Sequence, residues 1–332
     1  MTTSMLGGQS GTTLVLGATG QIGHALATAF SAYGPVRILA RNRPPEPFPS
    51  GIATEIRPVL DEAAFAAALQ GCRTAVYALG SPNQWASDPA WFERNNVGLL
   101  NTFLRALERS TVRDLIYIST FEIFRPQEGI VREANGLTDA ALPPSFAAMR
   151  KAYDAVKEAE KRLGLRVVTL HPAAVFGGLD TANGFTSYLL SLARRMIWKS
   201  PAVVPGRFPL IHVDSLAAGA KAALDGAAWG EAFILSDVET NLAGMAAELQ
   251  RQYPRAYRPI TIPFSLAILN SNMMEALSRL TGKPPLISRD QLRYLSAGHG
   301  ADASKAASAL AWKPMPLEEG IRRFRIRYGF PA

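Results

Sequence analysis

Cysteine is almost absent: Cys72 is the only one in 332 residues, which excludes an internal disulfide framework and any cysteine-rich metal site. Long apolar runs are missing too. No window approaches 18 consecutive apolar residues, so no membrane-spanning helix is expected. The four histidines, His24, His171, His212 and His299, are scattered without an H-x-x-x-H or His/carboxylate spacing; structural roles are expected for them, and no metal. The opening MTTSMLGGQSG lacks the basic start and apolar stretch of a signal peptide. Residues 1–11 therefore read as a disordered lead-in and the chain as cytoplasmic. Acidic residues are in deficit, 27 against 35 basic, giving a net charge of +8. Yet the arginines are spread along the chain, with neither aromatic–basic interleaving nor a finger spacing, so nucleic acid is not an expected partner. A basic surface that attracts a phosphorylated cofactor accounts for the charge.

What is present is the material of a globular α/β chain: 48% hydrophobic residues, 27 glycines and 23 prolines. In TTLVLGATGQIGHALATAF an apolar strand (Thr13 to Leu16) runs into a glycine-rich turn and an amphipathic helix. Gly17 permits the tight turn, Gly20 lets backbone approach a pyrophosphate, and Gly23 lets the helix pack on the strand. The helix N-terminus then offers N–H groups to the phosphates. The next strand, Val36 to Ala40, ends without the carboxylate that reads a ribose 2′-OH, and Arg41, Asn42 and Arg43 follow. A guanidinium there suits a 2′-phosphate, which predicts NADP(H) as preferred cofactor with NAD(H) as the alternative; a solvated loop arginine would look the same.

Alternation continues. A strand is expected near Ala53 to Arg57, then a helix capped by Asp61 and stopped at Gly71, a strand Thr74 to Leu79, and a long helix from Pro89. Further strands are expected at Asp114 to Ser119 and Arg166 to Pro172. The pattern predicts a Rossmann-type doubly wound parallel sheet with a smaller, mainly helical C-terminal substrate domain. Between the last two strands, SFAAMRKAYDAVKEAEKRL carries Tyr153 and Lys157 four residues apart, on one helical face. The pair could be an acid catalyst beside an ammonium, or a snorkelling lysine on a core tyrosine.

The ordered series GATGQIG, YALG, NNVGLLN with Asn95, IYISTFEIF, Tyr153-x-x-x-Lys157 with Glu160, HPAAVFGG and LIHVDSLAAG resembles the extended short-chain dehydrogenase/reductases over nearly the whole chain. Within that group (the NAD(P)-dependent epimerase/dehydratase family) the segment from Ile260 to Leu295 is similar to the hydroxysteroid dehydrogenase and dihydroflavonol reductase branch. The resemblance implies catalysis by Thr120, Tyr153 and Lys157: Tyr153 as general acid/base, Lys157 holding the nicotinamide ribose and lowering the phenol pKa, Thr120 hydrogen-bonding the carbonyl oxygen. It implies cofactor contacts from Gly17, Thr19, Gly20, Gln21, Ile22, Gly23, Arg41, Val59, Ala78, Leu79, Gly80, Tyr153, Lys157, Pro172 and Val175. Substrate contacts would come from Ser81, Phe121 and Glu122. It further implies a nucleotide-binding domain at 12–176 plus 208–238 and an interleaved substrate domain at 177–207 plus 239–330.

Departures from the family pattern shape the functional reading. Phe121–Glu122 stands where dehydratases place Asp–Glu, Phe124 where a tyrosine is usual, and His171 and Ala174 where sugar-nucleotide enzymes carry an arginine and a polar residue. Pro58 replaces the Asp near the adenine, leaving Val59 or backbone to read the base. The favoured expectation is NADPH-dependent reduction of a carbonyl, or the reverse alcohol oxidation, on an apolar or mixed small molecule. The alternatives are a sugar-nucleotide epimerase or ketoreductase and a non-catalytic NADP-binding regulator. Leu266, Leu269, Met273, Met274 and Leu277 form an apolar stripe at helical spacing, read as domain core, as a lid over substrate or, less well, as a membrane-surface helix. An alanine row, Ala148, Ala152, Ala155 and Ala159, suits either a homodimer bundle or packing on the chain's own sheet. Trp312 is expected to pack and Pro316 to start the last helix.

Overall fold

The computed structural model describes residues 11–80, 85–86, 88, 90–180, 184–253, 256–282, 285, 287–296 and 298–330. Strand and helix alternate through the first half: β1 (Thr12–Leu16), α1 (Gln21–Ser31), β2 (Val36–Ala40), β3 (Ile52–Ile56), α2 (Glu62–Leu69), β4 (Cys72–Tyr77), α3 (Ala90–Phe92), a π turn (Glu93–Gly98), α4 (Leu99–Glu108) and β5 (Asp114–Ile118). A 3-10 turn (Phe121–Ile123) leads to β6 (Pro126–Gln127), β7 (Ile130–Val131), α5 (Pro144–Leu163), β8 (Arg166–Pro172) and β9 (Ala174–Phe176). The remainder holds α6 (Phe185–Trp198), β10 (Ala202–Val203), β11 (Phe208–His212), α7 (Val213–Asp225), β12 (Ala232–Leu235), β13 (Val238–Thr240) and α8 (Leu242–Gln252). Last come β14 (Ile260–Thr261), α9 (Phe264–Thr281), α10 (Arg289–Ser296), β15 (Gly300–Ala301), α11 (Ser304–Ala309) and α12 (Leu317–Arg327).

Seven strands form one sheet in the order β12-β8-β5-β4-β1-β2-β3, with every pairing parallel. A parallel sheet is covered on both faces, which is why β5 is buried at every position while the edge strand β3 is mostly exposed. Helices α1 and α7 pack together, as do α2 and α4. Asp61 caps α2 by accepting the Ala64 N–H at 2.8 Å, and Gly71 turns the chain with φ +70°. Buried apolar side chains fall into two clusters. One covers the sheet and takes in Ala306, Leu310 and Trp312; the other joins Phe176 and α6 to Phe208, Leu210, α8, α10 and α12. Trp312 donates from Nε1 to the Ser215 carbonyl at 3.0 Å, and Pro316 caps α12.

Three expectations need correction. The strand expected to Leu79 ends at Tyr77, so Ala78 and Leu79 already lie beyond the ladder. The long helix is interrupted by the π turn Glu93–Gly98, whose wider ring no 3.6-residue periodicity signals. The apolar stripe of α9 is for the most part not core: Leu266, Leu269, Met273 and Leu277 are all more than half exposed, and Met274 is partly buried. The alanine row serves its own chain, since Ala148, Ala152 and Ala159 are buried within it.

Candidate active site

Strand β1 is flanked by β2 on one side and β4 on the other, so the chain leaves β1 and β4 in divergent directions and opens a crevice at their carboxyl ends. Gly17 turns there with φ +85°, and a Cβ on it would stand 2.4 Å from the Ala78 carbonyl oxygen. A Cβ on Gly23 would stand 2.3 Å from the Gly17 oxygen. Helix and strand are in contact because both residues lack side chains. Gly20 differs: a Cβ would meet only the Gly17 oxygen, at 3.3 Å. Its freedom serves whatever approaches from outside. Gly20 caps α1 without a side-chain bond and no acidic residue stands in the first turn, leaving the helix N-terminus to an anion.

A cavity of about 290 Å³ opens from this turn. Of the sequence-predicted residues it is lined by Gly17, Gly20, Gln21, Ile22 and Gly23, by Ala78, Leu79 and Gly80 after β4, by Thr120, Phe121 and Glu122 after β5, and by Pro172 and Val175 around β8 and β9. Three buried polar atoms of lining residues have no partner among the described residues: Gln21 Nε2, Ser119 Oγ and Ser145 Oγ. Unpaired polar atoms at such depth are costly, so polar ligand groups would be welcome here. The glycine cradle, the uncapped helix start and these atoms together fit a dinucleotide.

Thr120, two residues past β5, is N-cap of the 3-10 turn, its Oγ1 accepting weakly from the Glu122 N–H at 3.4 Å. Accepting leaves its own hydrogen free to donate into the cavity. Its carbonyl accepts from His171 Nδ1 at 3.0 Å. The same imidazole lies edge-on to Tyr153, ring centroids 5.2 Å apart. One buried ring thus ties together the strand end bearing Thr120 and the helix bearing Tyr153.

Tyr153 itself is buried one turn beyond Met149, which lines the cavity, but neither it nor Lys157 lines that cavity. Its phenol is also not lowered overall. Burial raises it above its ordinary value; the Lys157 ammonium pulls down, while Glu160 and Asp154 push up. Burial is the main cause, and the Lys157 ammonium that would offset it is ion-paired with Glu160. Thr19 and Arg41 likewise lie outside the lining, and Val59 is 67% exposed in the loop after β3. Ser81 lies outside the described residues.

The cavity's aromatic and apolar walls include Phe121, Phe146, Phe185, Tyr188, Ile287 and Tyr294, with no arginine or lysine among the described lining residues. Glu122 sits among them, and burial pushes its carboxyl up to about 8. Tyr294 is raised by burial first and by the neighbouring Glu122 second. Sequence reasoning took Asn95 as the helix marker, yet Asn95 donates to the Trp91 carbonyl at 2.8 Å and Asn96 lines the cavity. Tyr294 and Ile287 come from the last third of the chain, with no local motif to announce them.

The sequence model of the NAD dependent epimerase/dehydratase family matches residues 13–234. Short-chain dehydrogenase/reductase family 42E member 1 of Bos taurus is 24% identical, covering 95% of this chain and 87% of that protein. N-acetyl-alpha-D-glucosaminyl-diphospho-ditrans,octacis-undecaprenol 4-epimerase of Escherichia coli O157:H7 is 22% identical over 83% of each chain. UDP-glucuronic acid 4-epimerase from Bacillus cereus, solved with UDP-glucuronic acid and NAD, shares the fold at a TM-score of 0.72 and 18% identity, covering 96% of this chain and 98% of that one. The chain belongs to the NAD dependent epimerase/dehydratase family and is an extended short-chain dehydrogenase/reductase.

Proposed function

We propose that the chain catalyses reversible alcohol–carbonyl interconversion with a nicotinamide dinucleotide, run as epimerisation at a secondary alcohol carbon. The observation that carries this reading is the single cavity shared by the Gly17–Gly23 turn and Thr120. Bound nicotinamide would supply the acceptor and donor of hydride. Thr120 donates a hydrogen bond to the reacting oxygen. Tyr153 takes the carbinol proton and returns it, a transfer worth about 10²–10⁴ in rate. Lys157 holds the ribose and favours the phenolate once its charge is turned from Glu160 toward the ligand. The relatives' names point to sugar 4-epimerisation, on nucleotide-linked or lipid-diphosphate-linked substrates. NADP(H) is favoured by Arg41, exposed after β2 and without an ion pair among the described residues.

A second reading, net reduction of an apolar ketone, is favoured by one specific observation. Aromatic walls without a described arginine or lysine suit an apolar body better than a diphosphate. Incubation with nucleotide-sugar and ketone panels, following absorbance at 340 nm and products by chromatography, separates the two. Epimer interconversion without net cofactor consumption supports the proposal. Stoichiometric NADPH oxidation with a ketone replaces it by the second reading, and turnover of neither kind would contradict both.

A further inference from the structure

Helix α9 turns most of its large apolar side chains outward, while Phe264 and Ile268 pack, partly buried, against the second apolar cluster. Its buried positions are Ala267, Ser271, Glu275 and Ser278. Its exposed ones include Leu266, Leu269, Met273, Leu277 and Leu280, between 53% and 85% accessible. Each set recurs at spacings of three and four, so they lie on different faces of the helix. The polar inner face has work to do. Ser271 Oγ donates to the Ile287 carbonyl at 3.2 Å, and Glu275 accepts the Arg289 N–H at 2.6 Å, which pins the segment whose Ile287 walls the cavity. The apolar outer face has no such explanation inside the chain, and a row of this size marks a contact surface.

What covers it is indicated by its surroundings. The Tyr257 N–H donates to the Met196 carbonyl at 2.6 Å and the Ile260 N–H to the Pro201 carbonyl at 2.9 Å, joining the end of α6 to the strand that leads into α9. Trp198 (81% exposed), Tyr257 and Ile260 thereby extend the apolar surface at its N-terminal end. Arg194, Arg195 and Lys199 flank Trp198, Arg258 follows Tyr257 and Arg279 precedes Leu280; all five are exposed, and none has an ion pair among the described residues. Asp180, the one carboxylate in the groove shared by Arg194, Arg195 and Lys199, is engaged by Ser187. A second copy would bring these cations against their own kind, which opposes pairing. Exposed leucines with interfacial tryptophan, tyrosine and unpaired arginines match a bilayer surface carrying anionic headgroups. No described helix is long and apolar enough to cross a membrane, so contact would be in the plane of the surface.

We propose that the outer face of α9, with Trp198 and its neighbouring arginines, docks the protein on an anionic membrane surface. The test is co-sedimentation of the full chain with phosphatidylcholine vesicles containing 30% phosphatidylglycerol, against pure phosphatidylcholine. Binding to the anionic vesicles should weaken with salt and fall at least ten-fold in L269S/M273S/L277S, whose thermal melt should match the parent because the side chains replaced are exposed. A second readout needs no stripe variant. The part of the emission removed by Trp198→Phe should shift to the blue with anionic vesicles only. Absence of parental binding to anionic vesicles would overturn the proposal, as would a parental dimer that the triple variant converts to monomer.

Discussion

The imidazole of His171 holds the backbone carbonyl of Thr120 at 3.0 Å. A carbonyl only accepts, so the proton lies on Nδ1, and the buried Nε2 has no partner among the described residues. Burial keeps the ring neutral by drawing its pKa down to about 3. Between about 6.5 and 3 the unfolded chain therefore binds a proton that the folded chain refuses, and stability falls as pH drops through that window. His171→Asn can keep a donor for Thr120 while removing the titration. Urea unfolding from pH 6.5 to 4 should show a slope shallower by up to roughly 1.4 kcal/mol per pH unit. An unchanged slope would speak against a neutral buried ring.

Glu122 titrates with the opposite consequence. Its carboxyl, raised by burial to about 8, keeps its proton at neutral pH, and stability is lost as pH rises from the ordinary carboxylate range through 8. Glu122→Gln mimics the protonated form at every pH. Melts at pH 5 and pH 9 should show the variant gaining on the parent at the higher value, and its activity should persist above pH 8 where that of the parent declines. Parallel behaviour of the two proteins would mean that Glu122 is ionised in the fold.

The glycines of the first turn separate folding from binding. Gly23→Ala places a Cβ 2.3 Å from the Gly17 oxygen, so the helix must move and the melting temperature should fall by several degrees. Gly20→Ala meets only the Gly17 oxygen at 3.3 Å. It should melt near the parent yet bind dinucleotide at least ten-fold more weakly by fluorescence titration. Equal melting losses would remove the assignment of Gly20 to the ligand.

Much of this site could be read before any fold was known. The turn Gly17–Gly23 and the strand-end residues Ala78, Leu79, Thr120 and Pro172 were legible because a parallel sheet puts motifs of adjacent strands at one edge. Local chemistry does not encode what distant segments bring. Asn96 lines the cavity from within a π turn, Ile287 and Tyr294 come from over a hundred residues downstream of Tyr153, and Lys157 is paired with Glu160. The stripe of α9 is legible as apolar, but of the placements its spacing allows, core, lid or membrane surface, the core does not hold for Leu266, Leu269, Met273 and Leu277, since periodicity reports that a helix has two faces but not which one the chain covers.

The proposed preference for NADP(H) rests on Arg41, which no carboxylate of β2 opposes. Arg41→Ala should weaken NADP(H) at least ten-fold more than NAD(H), because only the former carries the 2′-phosphate that a guanidinium grips. Dissociation constants for both dinucleotides check this, and equal losses would return Arg41 to the role of a solvated loop residue.

The most direct trial of the mechanism is Tyr153→Phe, which removes one oxygen from a side chain packed against His171. Dinucleotide affinity should stay within a few-fold of the parent, while turnover of whichever substrate the panels identify falls by at least about 10². Turnover equal to the parent's, with affinity unchanged, would contradict a proton-transferring phenol.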